Sequence, residues 1–171
     1  MMKKRIFALC ALAALSLSLL AGCGPKEPGD QQEKKVDLAA FAQSVQENHE
    51  FPAMEKADPA DADVGVIMLG NYYPGLTDME LEQMEIYLAV ISFTGGELSL
   101  AQAKNADDAA KVKAIFQARI DAKTTDGIGN YPEELETWQR SSRLVENGNY
   151  LMLVCNEDCD AIVDEFNALF K

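Results

Sequence analysis

Cysteine and histidine carry the most specific chemistry a sequence can offer, and this chain has four of the first and one of the second. Cys155 and Cys159 are separated by Asn156-Glu157-Asp158, one residue more than the redox C-x-x-C spacing, and no second thiol pair stands nearby to complete a zinc set. In an oxidising compartment the spacing leaves a small structural disulfide and a pair of inert free thiols equally open. If Cys159 opens a helix, the helix dipole favours its thiolate, and a thiol-dependent redox or stress-response factor is the alternative function. His49 closes an apolar helical face and reads as a packed or solvated helix-end residue rather than a general base. The chain has no G-x-S-x-G elbow, and Gly127-Ile128-Gly129-Asn130 lacks both the third glycine and the preceding strand of a phosphate-binding loop. Asp58, Asp61 and Asp63, and later Glu157, Asp158 and Asp160, lack the ordered oxygens of a calcium loop and read as solvated acidic loops and helix starts. No catalytic residue, metal ligand or cofactor is assigned. Tyr72 and Tyr73, on a turn with Pro74-Gly75, form with Tyr131 the candidate binding surface. An adjacent pair of this kind also arises from one core ring and one surface ring.

The chain has 171 residues with 28 acidic and 15 basic side chains, a net charge of −13 that repels phosphate backbones and argues against nucleic acid as a partner. The charge is unevenly spread, since the first 22 residues hold three cations and no acid. Lys3-Lys4-Arg5 precedes an apolar run from Ile6 to Leu20, the pattern of a secretory signal peptide and shorter than a membrane span. That run ends in Leu20-Ala21-Gly22-Cys23, which resembles the lipobox of bacterial lipoproteins at all four positions. The resemblance implies cleavage before Cys23, a thioether-linked diacylglycerol on its sulfur, and attachment to the cell membrane on the extracytoplasmic face; two acyl chains anchor stably where one would be marginal. Cys10 would leave with the removed segment. Removal of residues 1–22 takes the net charge to −16. Residues 24–35 have no apolar side chain beyond two prolines and read as a disordered tether with a mean span on the order of 20 Å. Three parts are therefore expected: a signal peptide over 1–22, a lipidated Cys23 with its tether over 23–35, and a single domain over 36–171.

The elements that would position these side chains follow from periodicity. Leu38, Phe41, Ala42 and Val45 share one face of a helix over 36–48. The run 64–69 fits a buried strand or a short helix, and Thr77-Asp78-Met79-Glu80 matches a capping box that would start a turn or two of helix. Residues 86–93 are apolar on both faces, as in a central strand, and Gly95-Gly96 suits a two-residue hairpin turn into 97–103. Asn105 with Asp108 caps a helix carrying Ala109, Val112, Ile115, Phe116 and Ile120; the stretch 124–130 breaks it, and Pro132 opens a short helix with Leu135 and Trp138 inward. Asn147-Gly148 predicts a second hairpin between 140–146 and 149–155, followed by a last helix over 158–170. Hairpin and helix thus occur twice, which fits either a duplicated unit or the ordinary recurrence of a common motif. The expected fold is α+β: a four-stranded, mainly antiparallel sheet from two hairpins, with helices packed on one face.

Four segments in order carry a second resemblance: Met84-Glu85-Ile86-Tyr87, Glu97 through Lys104, Tyr131-Pro132-Glu133-Glu134, and Gly148 through Val154. From about residue 57 to 171 the chain resembles the lipoprotein-associated domain of unknown function family 4358, seen mainly in Firmicutes. The family has no assigned activity, so the resemblance implies location and fold and no catalytic residues. With no catalytic constellation in the chain, the expectation is a non-enzymatic, membrane-anchored module that binds an unidentified envelope protein or component.

Overall fold

A computed structural model of the chain describes residues 35–91, 95–125 and 131–171. The expected signal peptide, Cys23 and the tether up to residue 34 lie outside the described residues, as do Ser92, Phe93 and the glycine-bearing stretch 126–130. The chain divides into Met1–Glu33 and Lys34–Lys171, and every element below belongs to the second unit.

Local signals decide where most elements begin. Helix α1, Leu38–Asn48, starts at Asp37, whose carboxylate accepts from Ala40 N at 3.0 Å, and it buries Leu38, Phe41, Ala42 and Val45. A short strand β1, Met54–Lys56, leads into α2, Gly65–Tyr72, so the ambiguous run 64–69 is a helix. Asp61 sets that choice: its Oδ1 accepts from the backbone of Asp63 and Val64 while its carbonyl accepts from Val66, turning the chain into helix before a strand can form. The capping-box segment 77–80 makes only a turn, because the chain straightens at once into β2, Leu81–Ala89, and pairs from Leu81 onward. Then come β3, Glu97–Ala103; α3, Ala106–Thr124, capped by Asn105 as expected; α4, Pro132–Ser141; β4, Ser142–Asn147; β5, Tyr150–Cys155; and α5, Cys159–Ala168. Leu135 is only half buried on α4, whereas Trp138 and Glu134 are enclosed.

The sheet is antiparallel with five strands in the order β1-β2-β3-β5-β4, one more than expected. The extra strand, β1, is three residues long and too short to show a period. Leu88 stands opposite Glu97, so residues 90–96 connect β2 to β3 in place of a two-residue turn. Gly95 and Gly96 still adopt positive φ, 60° and 153°, and a Cβ on Gly96 would stand 2.4 Å from Pro52 Cγ. The β4–β5 hairpin is tight, with Asn147 opposite Tyr150 and Gly148-Asn149 in the turn, one residue later than predicted.

Helices cover both faces of this sheet, which corrects the one-face expectation. Along β5, Leu151, Leu153 and Cys155 join the core beneath α2, α3 and α4, while Tyr150, Met152 and Val154 join the core beneath α1 and α5. Strands apolar on both sides need cover on both sides. The same observation bears on duplication. An antiparallel pair such as β3 and β5 is related by a two-fold axis normal to the sheet, which maps each face onto itself. A duplicated strand-strand-helix unit would therefore put α3 and α5 on one face, and they lie on opposite faces. The recurrence in sequence is not a structural repeat.

Candidate functional site

The most concentrated chemistry lies under α2. Glu97 opens β3 opposite Leu88 and Cys155 and is 1% exposed. Arg119, on α3 and 9% exposed, faces it with Nε and Nη2 at 3.1 and 2.8 Å from Oε2. Tyr73, immediately after α2, donates its hydroxyl to Glu97 Oε1 and shares a 2.6 Å hydrogen bond with Ser99 Oγ. Aromatic rings wall the guanidinium, with Tyr72 centred 4.5 Å and Trp138 5.3 Å from Arg119 Cζ. Burial disfavours the guanidinium charge, but Glu97 outweighs it and raises the pKa of Arg119 further. Burial, then the charge of Glu97, pushes the Tyr73 phenol well above its usual range, so it stays a neutral donor. Among the described residues no buried side-chain polar atom lacks a partner. A charge pair enclosed this way must be fully bonded to be tolerated, and here it ties α2, α3 and β3 together. Its hydroxyls, Tyr73 and Ser99, are both fully buried, and the Glu97 carboxylate is taken up by Arg119 and Tyr73.

The proposed aromatic surface of Tyr72, Tyr73 and Tyr131 is split by this arrangement. Tyr73 is a core residue, Tyr72 covers Arg119 at the margin, and Tyr131 is 54% exposed at the start of α4. The residues sequence reasoning missed are on the outer side of α2. Val64, Val66 and Ile67 are exposed, Ile67 by 59%, and a Cβ on Gly70 would meet nothing within 4 Å. The helix has no charged residue at all. The signal that could have found this side is its length: an eight-residue helix with apolar residues at consecutive positions from Val66 to Leu69 can bury only one stripe against a sheet.

The two thiols are free, and the sheet explains why the spacing misleads. Cys155 packs in the core under α3 and α4, while Cys159, at the start of α5, packs in the core on the other face. Burial, aided by the charge of Glu97, pushes the Cys155 thiol up to about 12. Burial also raises Cys159, overriding the expected pull of the helix start. His49 packs against α5, with Nδ1 3.2 Å from Asp158 and Nε2 3.1 Å from Glu165, so each ring nitrogen is engaged by a carboxylate. A cleft of about 520 Å³ opens between residues 50–52, Gly95, Thr137 and the segment 155–158. Its rim is acidic, but Asp158 is engaged by His49 and Glu157 lies 3.9 Å from Arg140. Asp58 and Asp61 close turns onto the backbone of Ala60, Asp63 and Val64. Among the described residues no group of three or more His, Cys, Asp or Glu is placed to hold a metal ion, and no helix is long and apolar enough to cross a membrane.

The fold and its site define an α+β protein with a five-stranded antiparallel sheet between two helical layers. The family model described as domain of unknown function (DUF4358) matches residues 59–156, more than half of the chain, and the chain belongs to that family. The match runs from before α2 through β5 and so includes Tyr73, Glu97, Ser99, Arg119 and Trp138, whereas α1, β1 and α5 fall outside it. No curated protein and no solved structure matches the chain.

Proposed function

We propose that the chain is a lipid-anchored, extracytoplasmic interaction module, non-enzymatic, held at the cell membrane through Cys23 and presenting the outer side of α2 to an envelope protein. The lipobox residues Leu20-Ala21-Gly22-Cys23 support the anchor. The observation that carries the reading is the placement of α2. The tether joins the domain at Val36, which packs with α1 and α5 and donates its N–H to the Tyr150 hydroxyl at 3.3 Å. The exposed apolar side of α2 lies on the opposite face of the sheet. The point where the chain enters the domain and the exposed side of α2 are therefore on opposite faces of the sheet, so a partner on α2 would not compete with the tether for space. Apolar side chains gathered on one uncharged helix suit a protein partner better than solvent.

Nothing in this reading calls for a cofactor, a metal or nucleic acid. The redox alternative draws no support from Cys155 and Cys159, two protonated thiols enclosed on opposite faces of a sheet. The test is a photo-crosslinking residue placed at position 67 in membrane-anchored chain, with position 43 on the exposed side of α1 as control. Adducts to a defined protein should form from 67 and not from 43; adducts from both alike, or none from 67, would refute the surface. Cys23→Ala should independently release the protein from the membrane fraction, and unchanged fractionation would refute the anchor.

A further inference from the structure

His49 is the single histidine of the chain and the first residue beyond α1, where its N–H donates to Val45 O and completes the last turn. Its ring is inserted between two carboxylates of α5. Nδ1 lies 3.2 Å from Asp158 Oδ2 and Nε2 lies 3.1 Å from Glu165 Oε1. Neutral imidazole carries one N–H and one lone pair. Facing two carboxylates at these distances, a neutral ring would make one hydrogen bond and press its lone pair against the other oxygen. Both contacts are hydrogen bonds only when both ring nitrogens carry protons. Asp158 stands at the start of α5 yet gives that helix no side-chain cap, its carboxylate being turned to His49 instead.

We propose that His49 is a proton-operated latch: as imidazolium it binds the end of α1 to α5 through Asp158 and Glu165, and on losing a proton to solvent it must release one of them. The charged groups facing the ring are these two carboxylates, both on α5, with Glu50 the next residue along its own chain. Burial of the ring opposes its charge, but the hydrogen bonds to Asp158 and then Glu165 outweigh burial and raise its pKa above the ordinary 6.5. The latch holds more than two helices. Residues 50–52, directly after it, form the wall shared by the 520 Å³ cleft and a second of about 440 Å³ lined by Gln46, His49 and Met54. Asn156 Nδ2 donates to Glu50 O at 2.8 Å and Phe51 packs on the α1 and α5 core, so the wall keeps these ties when the latch opens. The proposal does not depend on lipid anchoring or on the α2 surface.

A folded-state pKa above the unfolded value gives stability that is fully present below pH 6.5 and is lost as pH rises through the folded pKa. Imidazole nitrogen NMR of the purified full chain in detergent reads the device directly, because one histidine gives one pair of signals. The expected result is that both ring nitrogens stay protonated past pH 6.5, and that Glu165→Gln lowers the midpoint. A midpoint at or below 6.5, or one that Glu165→Gln leaves in place, would overturn the latch. Thermal melts at pH 6 and pH 8.5 provide the second reading. The wild-type melting temperature should fall between them more than that of His49→Gln, and an equal fall in both would also overturn it. Should His49→Gln fail to fold, the Glu165→Gln titration decides alone.

Discussion

On the α1 and α5 side of the sheet, Phe41, Tyr150, Phe166 and Phe170 meet in tilted and edge-on pairs 5.1 to 5.7 Å apart. On the α2, α3 and α4 side, an equally enclosed position holds the Glu97 carboxylate and the Arg119 guanidinium. The first core works through area and needs no direction, since any well-packed apolar set of the same volume would serve nearly as well. The second gains less from burial and is exacting about geometry, because a buried pair pays for its own desolvation only when each oxygen and N–H finds a partner. The family match includes every member of the ion-pair network and excludes α1 and α5. The polar core also supports α2, the helix with an apolar side in solvent. Position and orientation of that helix are thus fixed by directional bonds on the face where a partner would dock.

The strongest way to break this comparison is to remove one charge. Arg119→Met keeps the side chain's apolar length under Tyr72 and Trp138 but leaves Glu97 buried without its cation, and it should cost about 3–5 kcal/mol in urea unfolding. Adding Glu97→Gln removes the stranded charge while keeping an acceptor for the Tyr73 hydroxyl. The double variant should recover most of the loss. If it recovers none, the cost lies in packing and the two cores do not differ in kind.

The same contrast governs what could be read from sequence. The α1 stripe, the Asn105 cap and the Asn147-Gly148 hairpin were legible because each is a local pattern whose partners lie within a few residues. Sidedness was not, since a helical stripe says that one side is buried and not against which face of the sheet. Four strands were expected and one face of helices, though residues apolar on both sides of β5 already demanded two layers. Glu97 and Arg119 are 22 residues apart and individually look like solvated charges. Cys155 and Cys159 look like a pair until β5 turns the first into the core under α3 and α4 and α5 carries the second into the core on the other face. Tyr72 and Tyr73 divide into a margin ring and a core ring, the alternative that the adjacent pair had left open. Val66 and Ile67 were hidden for the opposite reason: apolar residues in a short run read as core.

A smaller perturbation sharpens the apolar side. Ile162, fully buried on α5 against Met152 and Val154, loses one methyl in Ile162→Val and should cost about 0.5–1.5 kcal/mol, read as a shift in urea midpoint with an unchanged slope. No hydrogen bond is disturbed by that change, so a loss as large as that of Arg119→Met would mean that the aromatic core is as intolerant as the ionic one.

The smallest expected effect on stability falls on α2 itself. Ile67 is mostly in solvent and its neighbours on the outer side, Val66 and Gly70, are exposed as well, so Ile67→Asp should leave the unfolding midpoint within about 0.5 kcal/mol of wild type. Its effect on binding should be large by comparison, because a carboxylate at the centre of an apolar contact has to be desolvated without a partner. With the photo-crosslinking residue moved to position 66, the adduct seen with Ile67 should disappear in Ile67→Asp. An adduct that survives would remove α2 as the docking element, and a stability loss above 1 kcal/mol would show that Ile67 is holding the fold. The two readouts separate a residue kept for the core from one kept for a partner, which is the distinction that exposure alone cannot make for an isoleucine.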